Sequence, residues 1–138
     1  MYEKIMVPVD LAHLDQLQKA IKTAADLARL YASRVCFVGA TTPTPGPMAH
    51  TPEEFKARFE AFAAEQQAAL GVPIEARVYI AHDPSIDLDD TLLRAISETG
   101  ADLVVTASHN PGFAEHLFAS NSGYLAAHAP VSVLVVRS

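Results

Sequence analysis

The chain has 138 residues, with 10 Lys and Arg against 16 Asp and Glu, a formal net charge of −6 and a sequence pI near 5.4. That length suits one domain spanning residues 1–138, large enough to build a core without disulfide or metal staples. The acidic balance, with no basic stripe, argues against a surface for nucleic acid or for an anionic membrane. The lone Cys36 cannot form an internal disulfide and reads as core filler within Val35-Cys36-Phe37-Val38. The start at Met1 runs straight into a strand-like segment without a signal-type apolar region, and no apolar run reaches the ~20 residues that span a bilayer. A soluble cytoplasmic protein is therefore expected.

In chain order, the first predicted strand is Lys4 to Val9. A helix follows, because Leu14, Leu17, Ala20, Ile21, Ala24, Ala25, Leu27 and Ala28 recur at three and four residues and define one buried face. Arg34 to Gly39 is the second strand. Thr41 to His50, with Pro43, Pro45, Gly46 and Pro47, is neither helix nor strand and should connect over the sheet. A second helix starts with Thr51 as N-cap, Pro52 at the first position and Glu53 and Glu54 in the first turn, and Gly71 closes it. Its Phe55, Phe59, Phe62, Ala63 and Leu70 form a core-facing stripe. Ile74 to Ile80 is the third strand, and a third helix runs from about Leu88 to Glu98. Asp102 to Ala107 is the fourth strand, a fourth helix spans about Asn121 to His128, and Val131 to Val136 is the fifth strand.

Short β-branched runs alternating with helical segments predict a parallel sheet wrapped by helices, and strands apolar on nearly every residue must be covered on both faces. The last strand is followed only by Arg137 and Ser138. An apolar edge with no covering helix invites pairing with a second copy, so a homodimer through Val131 to Val136 is expected.

In open parallel sheets ligands bind beyond the carboxyl ends of the strands. Pro8, Val9 and Asp10 lie there after strand one, Ala40, Thr41 and Thr42 after strand two, His82 and Asp83 after strand three, and Ser108-His109-Asn110-Pro111-Gly112 after strand four. Asp10 has no nearby cation in sequence, so it can offer acceptors to a ribose, cap the first helix, or do both. The stretch from Ala107 to Ser122 leaves a strand, makes a small polar loop and enters a helix through Ser120, Asn121 and Ser122. The unpartnered amides of such a helix start can hold phosphate. A metal site from His109, His116, His82, Asp83 and Asp10 lacks ligand spacing, since the first two are seven residues apart across a Pro-Gly turn. No G-x-S-x-G elbow or Walker loop is present. A phospho-receiver would need an acidic pair after strand one and a fifth helix.

Lys4-Ile5-Met6-Val7-Pro8-Val9-Asp10, Gly100-Ala101-Asp102-Leu103-Val104-Val105 and His128-Ala129-Pro130-Val131-Ser132-Val133-Leu134-Val135-Val136, in that order and spacing, resemble the universal stress protein family over essentially the whole chain. The nucleotide-binding members carry G-2x-G-9x-G-[ST] after strand four. Here Ala107, Asn110 and Ala119 stand at the glycine positions and Ser120 keeps its type, while Ala107-Ser108-His109-Asn110-Pro111 with Ser120-Asn121 is similar to a branch with an A-S-H-R-P loop and a G-S-N turn. The resemblance implies an α/β fold with an open five-stranded parallel sheet in order 3-2-1-4-5 and helices on both faces, Rossmann-like and of the adenine nucleotide alpha hydrolase type. It implies dimers through strand five and binding of ATP, or AMP or ADP, with or without Mg²⁺. By the same likeness Val9, Asp10 and Ala40 border adenine and ribose, Ala107 and Asn110 the sugar and first phosphate, and Ser120, Asn121 and Ser122 the other phosphates. Pro8, Ser108, His109, Gly112 and Ala119 complete the implied site. The activity implied is regulatory, exerted through an unidentified client protein during stress and without efficient turnover. A slow ATPase, with Asp10 on Mg²⁺ and His109 near the phosphates, and a nucleotide-free dimerisation module are the alternatives.

Overall fold

In the computed structural model, residues 1–46, 49–108 and 117–137 are described, with backbone alone at 84–86 and 117–121. The chain forms β1 (Lys4–Pro8), a 3-10 segment (Leu11–Gln16), α1 (Gln18–Tyr31), β2 (Arg34–Thr41), α2 (Pro52–Leu70), β3 (Ile74–Ile80), α3 (Pro84–Thr99), β4 (Leu103–Ser108), α4 (Leu117–His128) and β5 (Ser132–Arg137). The strands make one parallel sheet in the order β3-β2-β1-β4-β5, as expected.

Alternation along the strands divides the interior. Ile5, Val7, Val35, Phe37 and Val105 face α1 and α2, where they meet Ile21, Ala24, Phe55 and Phe59. Met6, Cys36, Val38 and Val104 face the other way, onto Leu88, Leu92, Ile96 and Leu125 of α3 and α4. Each side chain of this kind, once fully buried, stabilises the fold by about 1.5–3 kcal/mol relative to exposure. Gly39 is required by packing: a Cβ there would stand on the ring of Phe59, which is itself completely buried.

The helix boundaries differ from expectation at three places, each for a local reason. Asp10 caps the 3-10 turn rather than the first α-helix, and His13 leaves helical geometry at φ −135° and ψ 43°, so α1 begins only at Gln18. α3 starts at Pro84 rather than near Leu88, because proline is preset for a first helical position and the Asp87 carboxylate accepts the Asp83 N–H at 3.1 Å. α4 starts at Leu117 rather than Asn121, so Ser120, Asn121 and Ser122 lie within the helix and do not cap it. Thr51 and Gly71 close α2 as anticipated, the threonine hydroxyl accepting the Glu54 N–H at 3.1 Å and Gly71 lying at φ 71°.

The Gly100-Ala101-Asp102 signature ties the opposite end of the sheet together. Gly100 leaves α3 at φ 74°, and the Asp102 carboxylate then accepts the Glu3 and Lys4 amides at 3.0 and 3.1 Å. Those bonds fix the start of β1 against the start of β4.

Candidate functional site

The connections through α1 and α2 cover one face of the sheet and those through α3 and α4 the other, so the winding reverses between β1 and β4. Beyond the carboxyl ends of these two strands lies the crevice where open sheets of this kind place ligands.

On the β1 side, Pro8 and Val9 are buried, and the Val9 N–H donates to the Val38 carbonyl at 2.9 Å. That bond carries β1 one residue past its last ladder pair and delivers Asp10 to the rim. Asp10 Oδ1 accepts the Ala12 N–H at 3.0 Å, and Oδ2 lies 2.8 Å from Nδ1 of His13. The carboxylate is thus held by the turn it caps and stays partly exposed. Asp10, Ala40, Thr41, Thr42, Thr44 and Phe55 line a cleft of about 170 Å³. Its polar wall comes from the carboxylate and the threonines; Thr42 Oγ1 donates to the Thr44 carbonyl at 3.1 Å, which folds the segment after β2 back on itself.

On the β4 side, Ala107 and Ser108 are buried, and the Ala107 side chain belongs to the core. Ser122, 1% exposed, donates to the Ala107 carbonyl at 2.7 Å and lies 3.0 Å from Thr106 Oγ1. Its single O–H is therefore committed to fastening α4 onto the end of β4. Ala119 lies in the first turn of α4 with helical backbone, and Ala32 is the only non-glycine at positive φ among the described residues. Alanine at 119 is thus under no backbone strain. His109, Asn110 and Gly112, and with them His116, lie outside the described residues.

His82 and Asp83 follow β3, and His82 lines a separate cleft with Asp87, Asp90 and Arg94, so neither joins Asp10. Sequence reasoning missed His13, Thr44 and Phe55. The signal for His13 was its place three residues after Asp10, the spacing at which side chains eclipse in a 3-10 turn. The helical stripe assigns Phe55 to the core, and it does both tasks, being buried in the α2 face while lining the cleft.

A parallel sheet in the order 3-2-1-4-5 with helices on both faces defines a Rossmann-like protein in architecture. The chain belongs to the universal stress protein family, whose model matches residues 1–137. It is 29% identical over 146 residues to universal stress protein G of Salmonella typhimurium, covering 99% of this chain and all of that one. Among solved structures, a universal stress protein in complex with cAMP superposes with a TM-score of 0.70 at 21% identity, covering 98% of this chain and 97% of that chain. The universal stress protein of Archaeoglobus fulgidus in complex with dAMP gives 0.69 at 19% identity, with 98% of both chains covered. Among the described residues no helix is long and apolar enough to cross a membrane.

Proposed function

We propose that this chain binds an adenine nucleotide, ATP or its AMP and ADP relatives, at the β1–β4 switch point, and acts as a regulatory stress-response protein of the cytoplasm. The observation that carries this reading is the Asp10 carboxylate on the rim of a cleft floored by Ala40 and Phe55. Each carboxylate oxygen makes one contact in the turn and keeps a lone pair for a ribose hydroxyl. At about 170 Å³ the cleft is smaller than the roughly 300–1,000 Å³ of pockets that enclose whole ligands, so it suits a base and sugar, with phosphates extending toward β4. The relatives solved with cAMP and dAMP support the same ligand class. Direct Mg²⁺ coordination by Asp10 suits the site less well, since a cation on Oδ2 would compete with His13; an accompanying ion would be carried by the phosphates.

Titration calorimetry with ATP, ADP and AMP tests the reading, with and without Mg²⁺. Heat on titration that Asp10→Ala abolishes supports it. No heat with any of the three, together with no nucleotide released on denaturing the purified protein, would leave the dimerisation module as the better account. Phosphate release well above background would favour the ATPase.

The homodimer is proposed through β5. That strand pairs with β4 on one side, and Leu134 remains 38% exposed. Sedimentation equilibrium on the protein and on Leu134→Glu checks it: a dimer that dissociates in the variant supports the interface, and a monomeric parent sinks it.

A further inference from the structure

The opposite edge of the sheet, β3, has an outward ladder that the register defines. Val35 N–H donates to the Pro73 carbonyl at 2.9 Å and Ala81 N–H to the Thr41 carbonyl at 2.8 Å. With Val35 opposite Ile74 and Thr41 opposite Ile80, odd-numbered residues 73 to 81 carry the bonds to β2. The peptide groups of Ile74, Ala76, Val78 and Ile80 therefore point away from the sheet. Gln67 of α2 closes one end, its Oε1 accepting the Ile74 N–H at 2.9 Å. Among the described residues nothing closes the other three, which leaves a short unpaired edge at Ala76, Val78 and Ile80.

A groove of about 490 Å³ runs along this edge. Its floor is Ala76, Val78 and Ile80, the last 48% exposed, and the first turns of α2 form its wall at Pro52 and Lys56. The side chains of even-numbered β3 residues face α2, and those of Glu75, Arg77 and Tyr79 face the opposite side. Glu75 is paired with Lys4, and the Tyr79 hydroxyl donates to Glu98 at 2.9 Å, whereas Lys56 and Arg77 form no ion pair among the described residues. On a chain of net charge −6, two cations without an ion pair, Lys56 and the Arg77 that hydrogen-bonds Tyr79, flank the strip against the single acid Glu53.

We propose that this edge docks an extended peptide segment alternating apolar and acidic side chains, added as a sixth strand beside β3. Backbone bonds at Ala76, Val78 and Ile80 supply affinity, the groove on the α2 face takes the apolar side chains, and Arg77 on the opposite face selects for acids, with Lys56 adding positive potential at the groove wall. A second copy is the poorer occupant, because twofold pairing about Val78 would bring two Lys56 and Arg77 sets onto one seam. The inference does not rest on nucleotide binding.

The experiment uses a fluorescent hexapeptide of alternating valine and glutamate, the same peptide N-methylated at alternate residues in either register, and a valine–lysine peptide. The valine–glutamate probe should bind, measured by anisotropy, and should slow hydrogen exchange at the Ala76, Val78 and Ile80 amides. The lysine probe, and the N-methylated probe whose edge-facing donors are blocked, should bind at least about tenfold more weakly. Val78→Pro removes an outward N–H without touching the β2 ladder and should weaken binding similarly. Lys56→Glu combined with Arg77→Glu, both exposed and separate from the core, should reverse the preference between glutamate and lysine probes. Absence of protection at these amides, or equal binding by the N-methylated probe, overturns the proposal. So does protection that rises with protein concentration alone, which would assign the edge to a second copy.

Discussion

The carboxylate of Asp10 and the imidazole of His13 meet at 2.8 Å across a single 3-10 turn, while the other Asp10 oxygen holds the Ala12 amide. One side chain thus shapes the turn and presents the rim of the cleft. Asp10→Ala should lose about 0.5–2 kcal/mol of stability as a missing cap. His13→Ala, which removes only a partly exposed partner, should lose less than about 1 kcal/mol. Urea unfolding of the two variants measures the difference, and equal losses would show that the imidazole rather than the cap holds the turn.

Gly39 and Phe59 make a second prediction. Gly39→Ala places a methyl on a buried ring, an overpacking that should cost about 1–3 kcal/mol. Phe59→Leu in the same chain should recover part of that loss by freeing space, so the pair should be non-additive in a double-mutant cycle.

Two carboxylates give opposite pH signatures. The Lys4 ammonium hydrogen-bonds Glu75 and holds its carboxyl below the usual glutamate value. That contribution is complete above the unfolded-state pKa and is lost as pH falls through the lower folded value, so Glu75→Gln should destabilise at neutral pH and have little effect in strong acid. Asp89 is shifted up by burial and then by Asp90, and its buried Oδ1 has no hydrogen-bond partner. Folding there favours the protonated form, so stability falls as pH rises from the usual aspartate value through the raised one. Asp89→Asn should stabilise at neutral pH, and the gain should vanish below the unfolded-state value. Thermal melts across pH check both signs.

Burial first, and the negative charge of Glu75 second, push the Cys36 thiol up to about 12. With no exposed surface and no thiolate at neutral pH, it should resist iodoacetamide until the sheet opens. Labelling that is fast in native buffer would contradict the placement of Cys36 on β2 beneath α3.

Ala32 ends α1 at φ 55° and ψ 44°, a left-handed conformation that glycine adopts without steric cost. Ala32→Gly should therefore raise stability, by up to about 1 kcal/mol once the greater freedom of glycine in the unfolded chain is offset. A lowered melting temperature would refute this.

The sheet was legible because continuous apolar runs such as Val35 to Val38 can only be strands covered on both sides, and Thr51 and Gly71 carry explicit start and stop chemistry. Helix starts without such marks were misplaced. Leu14 and Leu17 have helical spacing yet belong to or follow the 3-10 segment, because Asp10 and His13 hold that turn by a contact that hydrophobic periodicity does not register. Ser120 to Ser122 looked like caps because serine and asparagine favour them, but the helix had already begun at Leu117. The position of Asp10 on the cleft was legible from its place at a strand tip. The inward role of Ser122 was not, since which way a helical serine points depends on the rotation of α4 against β4.

Consecutive residues of β1 serve opposite layers, Met6 packing toward α3 and α4 and Val7 toward α1 and α2. Neither half can melt by itself without stripping cover from a strand that the other half still needs. The molecule should consequently come apart as one cooperative unit, with calorimetric and van't Hoff enthalpies in agreement.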